Sequence, residues 1–472
     1  MSANYDEFTV VLERAAAHAL AFRRALERRP QRPEKSYQEM RASFAGPVPE
    51  TGLANAEVID ELVANATPGL SAMAGPRFFG WVIGGGHPAG VAADWLTSAW
   101  GQNGAGHTPT PAAAAVEEAA ASWLLDLLGL PAESSVGFVT GATMANFVCL
   151  AAARSEVLRR VGWDVEAQGL FGAPPIQILI GEDAHTSVFS ALQFLGLGRD
   201  RLICVSADDA GRIKAAAFAE AARTCTGPTI AIAQAGHINT GAFDPFAEIA
   251  DIAHERGAWL HVDGAFGLWA RACPDRSFLA NGVEKADSWA TDGHKWLQTP
   301  YDCGYAIVRD ANAHSRAMSI TASYLVSVAE GERRPSDFVP ELSRRARGFA
   351  TWAVIRALGR QGIAEMVVRH CRIARYMAER LAAEPGVEVL NTVELNQVIV
   401  RFGAGEAPGR GDELTERLIE RVQSDGVCFV SGARWKGRWI MRLSVISWTT
   451  TDADADISIE AILNAWRSVK VG

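Results

Sequence analysis

Between residues 136 and 308, short apolar runs alternate with helical segments. Uninterrupted apolar runs of four to six residues are typical of strands that are buried on both faces, as in a parallel sheet. The intervening segments are long enough for crossover helices, and a short turn before the last run allows an antiparallel pair. The sequence therefore predicts an α/β domain with a mostly parallel sheet of seven strands: Val136–Thr140, Ile176–Ile180, Arg201–Val205, Thr229–Ala233, Trp259–Val262, Ser288–Thr291 and Tyr305–Val308.

Two further units flank this domain. Residues 1–75 are predicted to form a helical arm, in which the charged stretch 29–50 is unlike a compact core, so the arm needs a surface to pack on, such as a second subunit. Residues 76–345 form the large domain, and residues 346–472 are predicted as a small α+β domain. The predicted elements of the small domain are helices Arg345–Leu358 and Ile363–Glu384, strands Val387–Leu390, Gln397–Phe402, Val427–Ser431 and Trp439–Val445, and a last helix starting near Thr451–Asp454.

Composition excludes several functional classes. The chain has 472 residues, 45 basic against 54 acidic, and no long basic run, so neither a nucleic-acid partner nor a membrane surface is expected. It has no uninterrupted apolar stretch of 18 residues and no secretory signal pattern. The seven cysteines are scattered without metal-ligand spacing, which favours a reduced cytoplasmic protein and no metal site.

A lysine and an aspartate stand at the ends of two predicted strands. Lys295 follows the sixth strand and precedes Trp296, an apolar setting that disfavours the ammonium form and favours a nucleophilic amine. The alternative is a lysine whose amine reaches solvent from a strand end. Asp263 ends the fifth strand, where α/β sheets bind ligands, and it would suit a cationic ring nitrogen. Its alternative is a cap for the turn Gly264–Phe266.

Two more strand ends carry residues suited to a flat, phosphorylated ligand. The segment 140–146, Thr-Gly-Ala-Thr-Met-Ala-Asn, leads from a strand into a helix, and its small residues and free N–H groups suit a phosphate. His185 also opens a helix after a strand, so it is either a cap or a ring that stacks on an aromatic cofactor. A phosphate cradle, a stacking ring, a carboxylate and a lysine together describe a pyridoxal phosphate site.

This arrangement resembles the group II pyridoxal-phosphate-dependent decarboxylases, which include the aromatic-amino-acid, glutamate and histidine decarboxylases. The resemblance implies the pyridoxal-phosphate fold type I of aspartate aminotransferase and covers most of the chain from about residue 70. The motifs that carry it are the 140–146 turn, the segment 183–187 (DAHTS), the strand end 261–267 (HVDGAFG), the stretch 241–245 (GAFDP), the positions Ser288–Trp289, Lys295–Leu297, Tyr301, Cys303 and Arg309, and the segment Arg345–Trp352.

Roles follow from this resemblance position by position. Lys295 is expected to form the internal aldimine, and Asp263 to hold the pyridine nitrogen protonated. His185 is expected to stack on one ring face and Ala265 to pack on the other. The remaining cofactor contacts that the resemblance implies are Ala142, Thr143 and His294 at the phosphate, with Asp292 nearby.

The sequence departs from the family at two places. His237 and Ile238 stand where adjacent threonines are common, and His237 is either a substitute for the threonine hydroxyl or a cap of the strand. The segment Ser327–Glu341, predicted to be a mobile loop, lacks the tyrosine that protonates the reaction intermediate in many relatives; Phe338 is its only aromatic residue. In related enzymes, loss of that hydroxyl is associated with oxygen-dependent aldehyde formation.

The substrate side is less specified. Trp81 and Ile83 lie in a segment that lines the family's substrate pocket, although both could be ordinary core residues. His107 is a candidate proton donor in place of the missing tyrosine, as is a residue of a second subunit. Arg442 either binds a substrate carboxylate, as in aminotransferases of this fold, or makes an ion pair at a strand end.

The resulting hypothesis is a cytoplasmic homodimeric lyase that decarboxylates an L-amino acid, with aromatic substrates favoured, to an amine and carbon dioxide. The first alternative keeps pyridoxal phosphate but forms an aldehyde, transfers the amino group or cleaves a carbon–carbon bond. The second alternative is a non-catalytic partner subunit, against which the intact Lys295, Asp263 and His185 argue.

Overall fold

The computed structural model of the chain describes residues 2–319 and 333–471. Its first part is helical, as predicted. The charged stretch 29–50, predicted to be unlike a compact core, contains a short helix because Ser36 and Glu39 form a capping box, a signal present in the sequence. The helices of this part are α1 (Ser2–Ala25), α2 (Tyr37–Phe44), α3 (Asn55–Ala66) and α4 (Pro88–Trp100).

A seven-stranded sheet follows, and every strand overlaps its predicted position. The strands are β1 (Ser135–Val139), β2 (Gln177–Gly181), β3 (Leu202–Val205), β4 (Thr229–Gln234), β5 (Trp259–Asp263), β6 (Ser288–Asp292) and β7 (Gly304–Val308). The helices of this region are α5 (Pro111–Leu128), α6 (Ala142–Arg159), α7 (Val165–Gln168), α8 (Thr186–Phe194), α9 (Ala215–Arg223), α10 (Phe246–Glu255) and α11 (Ala311–Met318).

The strand order is β1-β7-β6-β5-β4-β2-β3. Strand β7 is antiparallel to both of its neighbours, and the other strands run in one direction. The predicted mostly parallel sheet with an antiparallel last pair is therefore confirmed. The carboxyl ends of six strands open on one edge of the sheet, which is where this architecture places ligands.

The strands read as continuous apolar runs because both faces of the sheet are covered. Ile178 and Ile180 of β2 pack into the core under α6 and α8, whereas Leu179 between them packs into the core under the opposite layer of helices. Side chains alternate along a strand, so a strand covered on both sides needs an apolar residue at each position.

The carboxyl-terminal part contains a four-stranded antiparallel sheet in the order β10-β11-β9-β8. The two predicted helices 345–358 and 363–384 are found as one element, whose helical path is interrupted at Gly359 (φ 62°, ψ 178°). The last helix of this part starts as predicted, and the Thr451 hydroxyl there accepts a hydrogen bond from the Asp454 N–H. The elements are α12 (Gly348–Ala382), β8 (Val387–Val389), β9 (Gln397–Phe402), α13 (Pro408–Asp425), β10 (Ser431–Trp435), β11 (Arg438–Ser444) and α14 (Asp452–Val471).

The predicted strand Val427–Ser431 is wrong. The strand begins where that prediction ended and pairs with β11 through the two-residue turn Lys436–Gly437, in which both residues have positive φ. The apolar run before it is buried by a different partner: the Phe79 N–H donates to the Phe429 carbonyl. An apolar run signals burial but does not say which strand covers it.

The boundaries at residues 75 and 345 stay predictions. No helix within the described ranges is both long and apolar enough to cross a membrane.

Candidate active site

The carboxyl ends of β1, β2, β4, β5 and β6 surround a cavity of about 330 Å³. The fold brings all eight predicted cofactor residues to its wall, although they come from segments spread over more than 150 residues of sequence. These residues are Ala142, Thr143, His185, Asp263, Ala265, Asp292, His294 and Lys295.

The start of α6 forms one end of the cavity. A side chain at Gly304 would come within 2.5 Å of the Gly141 Cα, so glycine there lets β7 lie directly against this turn. The Ala142 N–H donates to Asp292 Oδ1 (2.6 Å), which ties the turn to the end of β6. The exposed Thr143 faces the cavity with the helix N-terminus behind it, an arrangement that favours an anion.

Lys295 is not in the purely apolar setting that its sequence neighbours suggest. Trp296 and Leu297 are buried and anchor the backbone, while the Lys295 Nζ lies 2.9 Å from Asp292 Oδ2. Asp292 is only 2% exposed, so this ion pair is shielded from water. The pair stabilises the ammonium form, and it places a proton acceptor directly beside the amine.

Asp263 and His185 line the same cavity and also serve the local roles considered as alternatives. Asp263 Oδ1 accepts a hydrogen bond from the Ala265 N–H (3.2 Å), and His185 caps α8 by accepting from the Ser187 N–H (3.3 Å). Burial raises the pKa of the Asp263 carboxyl, which His185 and Lys295 oppose. Burial lowers the pKa of His185, which favours the neutral ring.

His294 has an aromatic neighbour, Tyr301, for which the sequence predicts no role in the site. Its ring stacks on Tyr301, with centroids 4.3 Å apart, and its Nδ1 accepts from the Cys303 N–H (3.3 Å). Burial lowers the pKa of His294, and it raises the pKa of Tyr301 to about 12. Both groups are therefore neutral near pH 7, and Tyr301 adds a phenol to the cavity wall.

Residues 38–403, more than half of the chain, match the model of the pyridoxal-dependent decarboxylase conserved domain. The chain belongs to this family. The enzyme is 27% identical over 421 residues to aromatic-L-amino-acid decarboxylase of Bacillus atrophaeus, which covers 87% of this chain and 85% of the relative. It is 25% identical over 458 residues to 4-hydroxyphenylacetaldehyde synthase of Rhodiola rosea, with 94% and 90% covered. The crystal structure of Oryza sativa TDC with PLP and tryptamine has a TM-score of 0.91 at 24% identity, over 98% of both chains.

These comparisons confirm the predicted family, the fold class, the carboxy-lyase class and the cofactor, pyridoxal phosphate. The cavity fits that group. Its volume is in the range of small-molecule sites, one end is a helix N-terminus that a side chain at Gly141 would crowd against His294 (3.0 Å), and the wall also holds the buried carboxylate of Asp263. The roles of the individual residues stay predictions.

The residues predicted on the substrate side do not line this cavity within one chain. They are Trp81, Ile83, His107 and Phe338. Trp81 is 50% exposed and packs on Phe78 and Phe429, and Ile83 is half-buried. Their segment nevertheless runs beside the lysine, because the Gly84 N–H donates to the His294 carbonyl (3.1 Å). A side chain at Gly84 would collide with the Lys295 carbonyl (2.3 Å), so glycine at this position lets the two segments approach closely.

His107 and Phe338 lie in two other segments, neither of which lines the cavity with these side chains. His107 is half-buried in the connection between α4 and α5, with Nδ1 3.4 Å from the Thr108 hydroxyl. Phe338 ends a short helical turn and packs edge-on against His314 of α11, 5.2 Å between centroids. Of the predicted loop Ser327–Glu341, residues 327–332 lie outside the described part of the chain.

Two open alternatives are narrowed by the structure. His237 Nδ1 accepts from the Asn239 N–H (3.2 Å) and its ring packs on Trp435, which supports the capping alternative, while Ile238 lines the cavity.

Arg442 is 8% exposed, its Nε and one terminal nitrogen make no hydrogen bond within the described residues, and no described carboxylate pairs with it. Burial lowers the pKa of Arg442 to about 10, and the positive charge of Arg442 helps to lower the pKa of His185.

Proposed function

We propose that the enzyme decarboxylates an aromatic L-amino acid to the amine and carbon dioxide, with pyridoxal phosphate held covalently by Lys295. The observation that carries the proposal is the convergence of Lys295, Asp263 and His185 on one cavity beside a phosphate-binding helix start. When bound, pyridoxal phosphate supplies an electron-poor ring that accepts the electron pair released as the carboxylate leaves.

The residues of this chain prepare that chemistry. Asp292 lies 2.9 Å from the Lys295 ammonium and would accept its proton when the cofactor is held there. Asp263 would hold the ring nitrogen in its positive form, since burial makes a lone carboxylate unfavourable. His185, neutral and fixed by Ser187, would cover one face of the ring.

The aromatic preference is supported by relatives whose names specify aromatic substrates. Arg442 would contribute to substrate recognition: two nitrogens of its buried guanidinium have no hydrogen-bond partner within the described residues and suit the substrate carboxylate. Trp81 and Ile83 remain proposed pocket residues, next to the Lys295 segment. Together they would orient the amino acid with its side chain toward the apolar segment.

A second outcome is favoured by the loop. No tyrosine occurs in residues 327–341, Phe338 packs on His314, and two relatives are aldehyde synthases. In that reaction the amino acid, dioxygen and water give the aldehyde, carbon dioxide, ammonia and hydrogen peroxide. We expect an aldehyde and peroxide side product in air, unless His107 or a residue of a second subunit donates the proton. Stoichiometric amine without oxygen uptake would contradict this expectation.

The test is incubation of the purified enzyme with each of twenty amino acids, in air and without oxygen, followed by mass detection of amine, aldehyde and keto acid. The Lys295→Ala protein is the matched control. Amine from an aromatic substrate supports decarboxylation; keto acid would indicate amino-group transfer. No product from any amino acid, in a protein that absorbs above 400 nm, would refute the catalytic proposal.

We further propose a cytoplasmic homodimer. Large apolar side chains stay exposed on α1 and α4, including Phe8, Trp95 and Trp100 at 46–58%, and such patches mark protein interfaces. All seven cysteines are free thiols, as suits a reducing compartment.

A further inference from the structure

Behind Asp263 lies a chain of buried polar side chains to which the proposed reaction assigns no role. Trp259 Nε1 is 2.9 Å from Ser288 Oγ, which is 2.9 Å from His261 Nδ1. His261 Nε2 is 2.8 Å from Asn146 Oδ1. Asn146, His261 and Ser288 are fully buried.

Strand geometry explains why this chain ends at the carboxylate. His261 and Asp263 are two residues apart on β5, so they share one face of the sheet. The β5–β6 register sets His261 beside Ser288, and α6 covers that face and brings Asn146. The buried Nδ2 of Asn146 has no hydrogen-bond partner within the described residues. It is a donor left over beside Asp263, and Asn146 acts to lower the pKa of that carboxyl, against the effect of burial.

The Asn146 oxygen, rather than its nitrogen, lies 2.8 Å from His261 Nε2, and this placement sets the direction of the chain. An indole N–H only donates, so Ser288 Oγ accepts from Trp259 and can give its own proton to His261 Nδ1. An imidazole that accepts at Nδ1 donates from Nε2, which requires the Asn146 oxygen to face it. The amide N–H₂ then faces Asp263, and an ionised carboxylate only accepts. Burial lowers the pKa of His261 to about 3, so the ring stays neutral and this order persists.

We propose that Asn146, held by His261 and Ser288, is a positioning residue that donates a hydrogen bond to Asp263 and keeps that carboxylate ionised for the ring nitrogen of the cofactor. The inference rests on the proposed role of Asp263. A donor aimed at a buried carboxylate favours its charged form and opposes the effect of burial. His261 and Ser288 act only by fixing which end of the Asn146 amide faces the carboxylate.

The test compares two ligands for each variant: pyridoxal phosphate and its analogue with C–H in place of the ring nitrogen. Asn146→Leu keeps the size of the side chain and removes the donor. Because hydrogen bonds to charged groups are the stronger ones, we expect Asn146→Leu to bind pyridoxal phosphate about tenfold more weakly. The analogue has no ring nitrogen to be paired, so its dissociation constant should stay unchanged. Equal weakening of both ligands, or of neither, would overturn the proposal.

Two more variants separate the possible failures. Asp263→Asn must weaken pyridoxal phosphate but not the analogue; if it does not, the proposed role of Asp263 fails, rather than the role of Asn146 alone. Ser288→Ala removes one oxygen and should weaken pyridoxal phosphate selectively but less, about threefold. It also serves if Asn146→Leu does not fold, and the same equal-weakening result would refute the proposal. Asn396→Leu is the matched control: it removes another fully buried amide, which donates to the Val445 carbonyl (3.0 Å), and should leave both affinities unchanged.

Discussion

Removing the charge of Asp263 should lower turnover strongly while leaving Lys295, the proposed point of cofactor attachment, in place. The carboxylate is 3% exposed at the end of β5 and lines the same cavity as the start of α6. Asp263→Asn keeps the shape of the side chain and one acceptor for the Ala265 N–H, which Asp263 Oδ1 holds at 3.2 Å. The substitution therefore removes a charge with little change in packing.

The magnitude follows from the proposed contact between Asp263 and the ring nitrogen. Losing one group that stabilises developing charge lowers kcat by about a hundredfold to a thousandfold, which corresponds to about 2.7–4 kcal/mol. The ring nitrogen can also lose its proton, which would lower the electron demand of the ring and account for the loss in kcat rather than only in cofactor affinity.

The assay is kcat under saturating cofactor, with native pyridoxal phosphate and with an N-methylated analogue whose ring nitrogen is permanently positive. We expect the analogue to restore part of the activity of Asp263→Asn. Asp244→Asn is the matched control, since Asp244 is an equally buried carboxylate that accepts from the Ile213 and Gln234 N–H groups; the analogue should not improve it. Turnover of Asp263→Asn within threefold of the wild type would refute the reasoning.

Three further perturbations test other parts of the structure. Lys295→Ala should abolish the borohydride-reducible cofactor adduct while the protein stays folded by circular dichroism, and a peptide map that places the adduct on another lysine would overturn the assignment. Deletion of residues 1–70 should give insoluble or weakly cofactor-binding protein, because α1 has exposed apolar side chains and the arm has little core of its own; a fully active monomer in analytical ultracentrifugation would argue against the dimer. The free energy of unfolding should fall as the pH decreases from about 6.5 to 4, by up to about 1.4 kcal/mol per pH unit for His314 alone, because burial lowers its pKa to about 3 and it gains its proton only on unfolding. Denaturant titrations at several pH values should show a flatter slope for His314→Gln, and an unchanged slope would exclude His314 as a contributor.

Local signals in the sequence were sufficient for most elements of the large domain. Apart from the edge strand β3, in which Cys204 is exposed, the strands of its sheet are buried on both faces, so their apolar runs are visible without knowledge of their neighbours. The same signal failed at Val427–Ser431, where the run packs beside Phe79 instead of joining the sheet. The helix α2 was missed although its capping box, Ser36 with Glu39, is readable in the sequence.

The predicted cofactor residues could be placed at one cavity because each follows a strand, and parallel strands bring their carboxyl ends together. Lys295 and Asp263 were proposed in this way, and the family resemblance then gave each an expected role. The ion pair between Lys295 and Asp292 could not be predicted, since the residues around the lysine in sequence are apolar and its carboxylate partner depends on how the turn after β6 folds back. The position of Tyr301 in the cavity wall also depends on the fold of this turn.

The sequence by itself determined the class of fold, the cofactor and the lysine most suited to hold it, because these depend on periodicity and on motifs that are local along the chain. The tertiary structure alone decided which groups lie behind those motifs: the hydrogen bond between His261 and Asn146, the two Arg442 nitrogens without a partner in the described residues, and the packing of Phe338 on His314. Those contacts join residues from different strands and helices. Hydrogen bonds and ion pairs require atoms within about 3–4 Å, and only the folded chain brings such distant positions that close.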